Sequence, residues 1–159
     1  MKGYLFDTNI WSHWFEQRPY IIEEINRLDP QSTIYLSSVV WGEAIFGAKA
    51  NKKFSFDKYA EFIFSKKPII MPIDESVAAE FGELKAKLFE KKSPTNVRTN
   101  AGRIEMLKKP LPAKSMGVDE NDLWIVSQAL AYNLVLVTND RMNNLLEVVP
   151  NRLEYKIWK

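Results

Sequence analysis

Apolar positions along the chain follow two patterns that alternate. Short β-forming runs occur at Tyr4–Phe6, Thr33–Leu36, Ile69–Ile73 and Leu134–Val137, with a further short run around Tyr155 in LEYKIW. Between them, apolar residues recur every three or four positions, which predicts helices over Ile10–Phe15, Tyr20–Leu28, Val39–Ala50, Phe56–Ser65, Glu75–Lys91 and Asp122–Tyr132. Local punctuation agrees. Pro19 suits a helix start, Ser37, Ser38 and Asp74 are residues that cap helices, and Pro72 points to an irregular or edge strand. Strands separated by helices predict βαβ units and a mostly parallel sheet covered on both faces. The 159 residues fit one domain, 1–159, with no internal repeat or low-complexity tract.

The strand endings carry the first chemical signal. The first strand stops at Asp7-Thr8-Asn9, the second at Ser37-Ser38, the third at Asp74 and the last helix-flanked one at Thr138-Asn139-Asp140. In open α/β sheets the ligand crevice lies outside the carboxyl ends of the strands, so residues distant in the chain share one place there. Each of these residues alone is explained equally well as a loop start or helix cap. Two more acids weaken that explanation. Glu43 lies four residues after Val39 and three before Phe46 in an apolar helical stretch, where a lone carboxylate is costly to desolvate without a cation or donor. Asp122 opens the helix whose apolar stripe is Ile125, Val126, Ala129 and Leu130. A first-turn acid also interacts favourably with the helix dipole, and Asp119 or Asn121 could be the true cap.

Composition narrows the chemistry. There is no cysteine, which excludes disulfides and thiolate zinc sites, and His13 is the only histidine, which excludes a His–His pair. Carboxylates are left as metal ligands, and they suit hard cations such as Mg²⁺ or Mn²⁺. No apolar run reaches the roughly 18 residues needed to span a membrane, and the start lacks the pattern of a secretory signal. A soluble, cytoplasmic protein is expected, with no membrane partner. Asp7, Glu43, Asp122 and Asp140 are four acids that this architecture can gather at one sheet edge. Such a cluster repels itself unless divalent cations neutralise it, and cations held there can activate water beside a phosphate. The chemistry implied is phosphodiester hydrolysis.

With these residues in view, the chain resembles the PIN-domain ribonucleases, most closely the VapC-type toxins of bacterial and archaeal toxin–antitoxin modules. The resemblance rests on YLFDTNIW, IYLSSVVWGEAIFGA, NDLWIVSQALAYNLVLVTND and the order Asp, Glu, Asp, Asp along the chain. It covers most of residues 1–50 and 117–145, with a weaker echo in MPIDESVAAEFGELKAKL. It implies a three-layer α/β/α sandwich, a Mg²⁺ or Mn²⁺ site, metal-dependent endoribonuclease activity on RNA and a cognate antitoxin protein as partner. It carries the family's catalytic and metal-site role onto Asp7, Glu43, Asp122 and Asp140, and a supporting role onto Thr8, Asn9 and Thr138. One departure is a long connection, about 91–116, before the third acid. It leaves Asp119 as the rival of Asp122, which is favoured because Leu123-Trp124-Ile125 continues directly into the matching helix. Competing readings are another metal-dependent phosphohydrolase and a catalytically silent binding module on the same fold. Against a strand-end aspartyl nucleophile, the position two residues after Asp7 is Asn9 rather than an acid.

Two surface expectations complete the reading. Trp11, Trp14 and Phe15 are spaced to share a helix stripe, joined by Trp41 and Phe46. Most are expected in the core, and the resemblance suggests an antitoxin groove near them. The stretch from Lys85 to Lys114 holds nine basic and two acidic residues, a net +7, whereas the rest of the chain carries −5. A carboxylate site repels RNA, so this insertion, with Arg103, Lys108 and Lys109 at its centre, is the expected RNA-binding arm. A solvated surface loop and a subunit contact in a homodimer are its competing uses.

Overall fold

The computed structural model describes residues 2–51, 55–92, 104–105, 108–109 and 111–159. Five strands, β1 (Gly3–Phe6), β2 (Thr33–Ser37), β3 (Ile69–Met71), β4 (Val135–Thr138) and β5 (Tyr155–Ile157), form one sheet in the order β3-β2-β1-β4-β5. Every pairing is parallel, with Phe6 beside Leu36 on one side and Val137 on the other. The central strands β1 and β4 are buried along their apolar residues, as a sheet covered on both faces requires. The edge strands are shorter and more exposed.

The helices are α1 (Thr8–Phe15), α2 (Pro19–Asn26), α3 (Ser38–Ala50), α4 (Phe56–Ser65), α5 (Glu75–Lys92), α6 (Glu120–Ala131) and α7 (Asn143–Leu146), with a 3-10 turn at Ala113–Met116. Helix α1 packs against α2 and α4, α5 packs against α6, and α3 touches both α1 and α6. The result is a three-layer α/β/α sandwich.

Several boundaries differ from the sequence pattern for identifiable reasons. Helix α1 begins at Thr8 because Asp7 is its N-cap, accepting from the Ile10 backbone N–H at 2.8 Å. Helix α6 begins at Glu120 because Asp119 is its cap, accepting from the Asn121 N–H at 2.8 Å. Strand β3 ends at Met71, before Pro72, which has no N–H for a ladder. The end of the basic stretch is not wholly solvated, since Ala113 and Met116 are buried. Gly117 follows with φ 75°, a conformation side chains resist, and Asn144 Nδ2 donates to its carbonyl at 3.0 Å. This turn delivers the chain to Asp119.

The aromatic stripe of α1 is core. Trp11 and Trp14 are buried and stack at 5.4 Å, both against Phe6, while Phe15 packs on Tyr59 and Phe62. Trp41 lies on Phe56 and Phe64, and Phe46 alone of the five faces solvent, at 73% exposure. Trp11 and Trp14 therefore offer a partner no surface.

Candidate active site at the sheet edge

The chain runs from β1 outward to β3 and then returns to β4 on the other side of β1. The carboxyl ends of β1 and β4 thus form the point where strand order reverses, the usual place for a crevice in such sheets. Asp7 follows β1 directly, and Thr138, Asn139 and Asp140 close β4. The Asp7 N–H donates to the Val137 carbonyl at 3.0 Å, which fixes the two strand ends together.

Asp7 is 4% exposed. Burial pushes its carboxyl up to about 6, and the Asp140 charge adds to that. Hydrogen bonds from Thr138 and from the Ile10 and Asn9 backbone oppose the rise. Asp122 lies at the third position of α6, half-buried. Its carboxyl is pushed up to about 7, first by burial, then by the charges of Asp119, Asp7, Asp140 and Glu43. Asp122 therefore feels the other three acids singled out from sequence, and Asp119 adds a fourth charge on it. Asp119, Asp122, Asp140 and Arg141 line a cavity of about 360 Å³.

Glu43 reaches this edge from α3. Thr8 Oγ1 donates to its Oε2, and Asn121 Nδ2 donates to its Oε1 at 2.8 Å. One carboxylate thereby joins the first turns of α1 and α6. Asp140 is exposed, with its N–H on Thr138 Oγ1 at 3.0 Å and its Oδ1 accepting from the Arg141 N–H at 2.6 Å. The side chains of Thr8 and Thr138 thus both touch acids, whereas that of Asn9 does not: its Nδ2 donates to Asn139 Oδ1 at 3.0 Å.

An all-oxygen donor set of mutually repelling acids fits a hard divalent cation better than a transition metal that prefers nitrogen or sulfur. Among the described residues, however, no three acidic or histidine side chains are gathered closely enough to hold an ion as they stand. Glu43 accepts from Thr8 and Asn121 through its two oxygens, and Asp7 accepts the α1 cap bond through one of its own.

Sequence reasoning missed three contributors. Asn121 acts as a clamp on Glu43, and its position beside Asp122 was the available signal. Gln128 is wholly buried. Its Oε1 accepts from Ser37 Oγ at 2.5 Å, and its Nε2 donates to the carbonyls of Met71 and Pro72 at 2.9 and 3.0 Å, so α6 is tied to the ends of β2 and β3. A glutamine inside the apolar run LWIVSQAL was its only trace. Finally, His13 Nδ1 lies 2.6 Å from Tyr20 Oη and 3.5 Å from Asn139 Nδ2, which extends the Asn9–Asn139 pair outward.

Of the basic residues, Lys108 and Lys109 are exposed, and Arg103 lies outside the described residues. Lys85 is paired with Glu120 at 2.6 Å, and Lys91 and Lys92 reach Glu147 at 3.4 and 2.7 Å. No helix of the described residues is long and apolar enough to cross a membrane.

A family model described as the PIN domain matches residues 4–148. Ribonuclease VapC1 of Haemophilus influenzae (strain R2866) is 25% identical over 138 residues, 86% of each chain. Ribonuclease VapC2 of Rickettsia felis is 26% identical over 138 residues, again 86% of each. Among solved structures, VapBC2 from Rickettsia felis bound to a promoter DNA fragment matches with a TM-score of 0.69, 23% identity and 99% coverage of both chains. VapBC-1 from nontypeable Haemophilus influenzae matches with a TM-score of 0.61, 20% identity and 98% coverage of both. At these identities the solved structures establish likeness of fold.

Proposed function

Because the chain belongs to the PIN-domain family, we propose that it is a metal-dependent endoribonuclease and the toxin of a toxin–antitoxin pair. The observation that carries this reading is the electrostatic strain at the sheet edge. Asp7 and Asp122 are both held well above the ordinary carboxylate range, and the charges of Asp7, Asp140 and Glu43 all add to the rise at Asp122. A site that destabilises its own charges in this way gains by taking up a cation. The names of the matched relatives support ribonuclease activity, and the complexes among the solved structures support a protein antitoxin as partner.

Mg²⁺ or Mn²⁺ is the ion that this donor set suits, and Asp7, Asp122 and Asp140, with Glu43 from the α3 side, would hold it. Bound there, it would activate a water and neutralise charge on the phosphate. The chain's own residues set the frame for that chemistry. Asp7 is fixed by the α1 cap and Thr138, so its carboxylate needs little reorganisation when RNA arrives. Thr8 and Asn121 hold Glu43 over the same edge. Asn9 and Asn139 form a neutral polar rim that can orient the ribose or phosphate without adding charge. Lys108 and Lys109, with Arg103, are the proposed contacts to the RNA backbone, offsetting the repulsion between acids and phosphates. Action in the cytoplasm, where RNA and an antitoxin would both be met, follows from the same reading.

The test is cleavage of single-stranded RNA by the purified protein with Mg²⁺ or Mn²⁺ and with EDTA. Cleavage at internal bonds that needs the ion and stops with EDTA is expected. Undiminished cleavage in EDTA would overturn the metal mechanism. Antitoxin binding without any cleavage would instead favour the silent module.

A further inference from the structure

A second cavity, about 410 Å³, lies on the other side of Glu43, between α1, α3 and α4. Its lining includes Thr8, Ser12, Glu43, Ala44, Gly47 and Tyr59. The volume falls in the range of small-ligand sites, ~300–1,000 Å³. One wall is the stretch of α3 carrying Ala44 and Gly47, which presents almost no side chain, and a Cβ added at Gly47 would meet nothing within 4 Å. The opposite wall carries hydroxyls. Ser12 is hydrogen-bonded to the hydroxyl of Tyr59, and Tyr59 is 3% exposed. Burial pushes the Tyr59 phenol up to about 12, so it stays a neutral hydroxyl at cellular pH.

Two features fix what such a slot accepts. It adjoins the acidic edge: Thr8 and Glu43, hydrogen-bonded to each other, line it, and the Glu43 charge reaches Asp122. Among the described residues its lining is otherwise neutral, nearly bare of side chain along α3 and hydrogen-bonding on the other side. The described lining offers a phosphate no cation, and the Glu43 carboxylate repels it. A planar body with apolar faces and polar edges fits both walls, and in an RNA strand that body is the base.

We propose that this slot seats the nucleobase next to the scissile phosphate, so that Gly47, Ala44 and the Ser12–Tyr59 pair select the RNA site. The inference rests on the ribonuclease reading above. Unpaired bases are the accessible ones, so cleavage falls in loops or single-stranded segments.

The slot can be filled from α3 with little risk to the fold. Helix-interior glycine costs about 1 kcal/mol relative to alanine, and open space surrounds this position. The experiment compares wild type with Gly47→Ala, Gly47→Leu and Gly47→Phe, each checked for a thermal midpoint no lower than that of wild type. Substrates are a library of single-stranded RNAs randomised on both sides of the cleaved bond, and methyl p-nitrophenyl phosphate as a diester without a base. The loss in kcat/KM on RNA should grow with side-chain size and reach at least 30-fold for Gly47→Phe. It should exceed the loss on the base-free diester at least tenfold, and the nucleotide preference at one flanking position should flatten. A Tyr59→Phe variant should shift that preference without the size-dependent loss. Full RNA cleavage with wild-type preference by Gly47→Phe would overturn the proposal. So would the same result accompanied by lost antitoxin inhibition, which would assign the slot to a peptide. Absence of metal-dependent RNA cleavage in wild type would overturn the parent reading and this one together.

Discussion

Replacing Asp7 by asparagine should stabilise the ion-free protein while destroying its activity. The folded state holds the Asp7 carboxyl at about 6 against an ordinary 3.8, with burial as the main cause. Each pKa unit is about 1.4 kcal/mol, so ionised Asp7 costs the fold about 3 kcal/mol above pH 6. The sign follows from proton binding. The folded value lies above the unfolded one, so the folded state holds the proton more tightly. Stability is therefore greatest below about pH 4, falls as pH rises towards 6, and stays reduced above that. Asparagine carries no charge and is as good an N-cap as aspartate, so the bond from the Ile10 N–H survives. Allowing about 1 kcal/mol for the buried amide, the net gain is roughly 2 kcal/mol. That is about 4–8 °C in Tm for a chain of this size. The assay is thermal unfolding in EDTA at pH 7.5 and 4.5, followed by the same melts with excess Mn²⁺. The variant should melt higher at pH 7.5, and its advantage should all but vanish at pH 4.5, where ionised Asp7 costs the fold only about 1 kcal/mol. Mn²⁺ should raise the wild-type Tm and leave the variant where it was. A variant that melts no higher than wild type at pH 7.5, or gains the same amount at both pH values, would refute the reasoning.

Three further outcomes are expected. Asp122→Asn should reduce RNA cleavage as severely as Asp7→Asn, by 100-fold or more, whereas Asp119→Asn should cost the α6 cap less than 1 kcal/mol and cleavage under tenfold, because its side chain caps from an exposed position; steady-state rates decide it. Changing Arg103, Lys108 and Lys109 together to alanine should weaken binding to all single-stranded RNAs alike and flatten the log–log salt slope by ~0.7 per lost phosphate contact, measured by fluorescence anisotropy. Gln128→Leu should cost about 2–4 kcal/mol in urea unfolding, since Ser37 Oγ and the Met71 and Pro72 carbonyls lose their buried partner.

The elements were largely legible because their apolar periods are clean. The β1 and β4 runs are short, apolar and followed at once by polar residues, and parallel packing brings those endings together. The position of Asp122 was harder to read, since Asp119 stands three residues before it as a rival acid. Only the backbone shows that Asp119 is spent on capping while Asp122 faces the other charges. Glu43 could be recognised as anomalous in its apolar surroundings, but its partners Thr8 and Asn121 lie 35 and 78 positions away. The same distance problem hid Gln128, whose bonds to Ser37, Met71 and Pro72 have no local signature. The aromatic stripe of α1 read correctly as spacing. Its burial follows from the packing of α2 and α4, which the spacing alone does not reveal.

The most direct test of the proposed function is the rate of RNA cleavage against Mn²⁺ concentration, measured side by side for wild type and Asp7→Asn on one single-stranded RNA. A wild-type rate that rises from zero and saturates, beside a folded Asp7→Asn protein that stays at background at every concentration, is the expected result. Cleavage by Asp7→Asn at the wild-type rate, or wild-type cleavage independent of the ion, would contradict it.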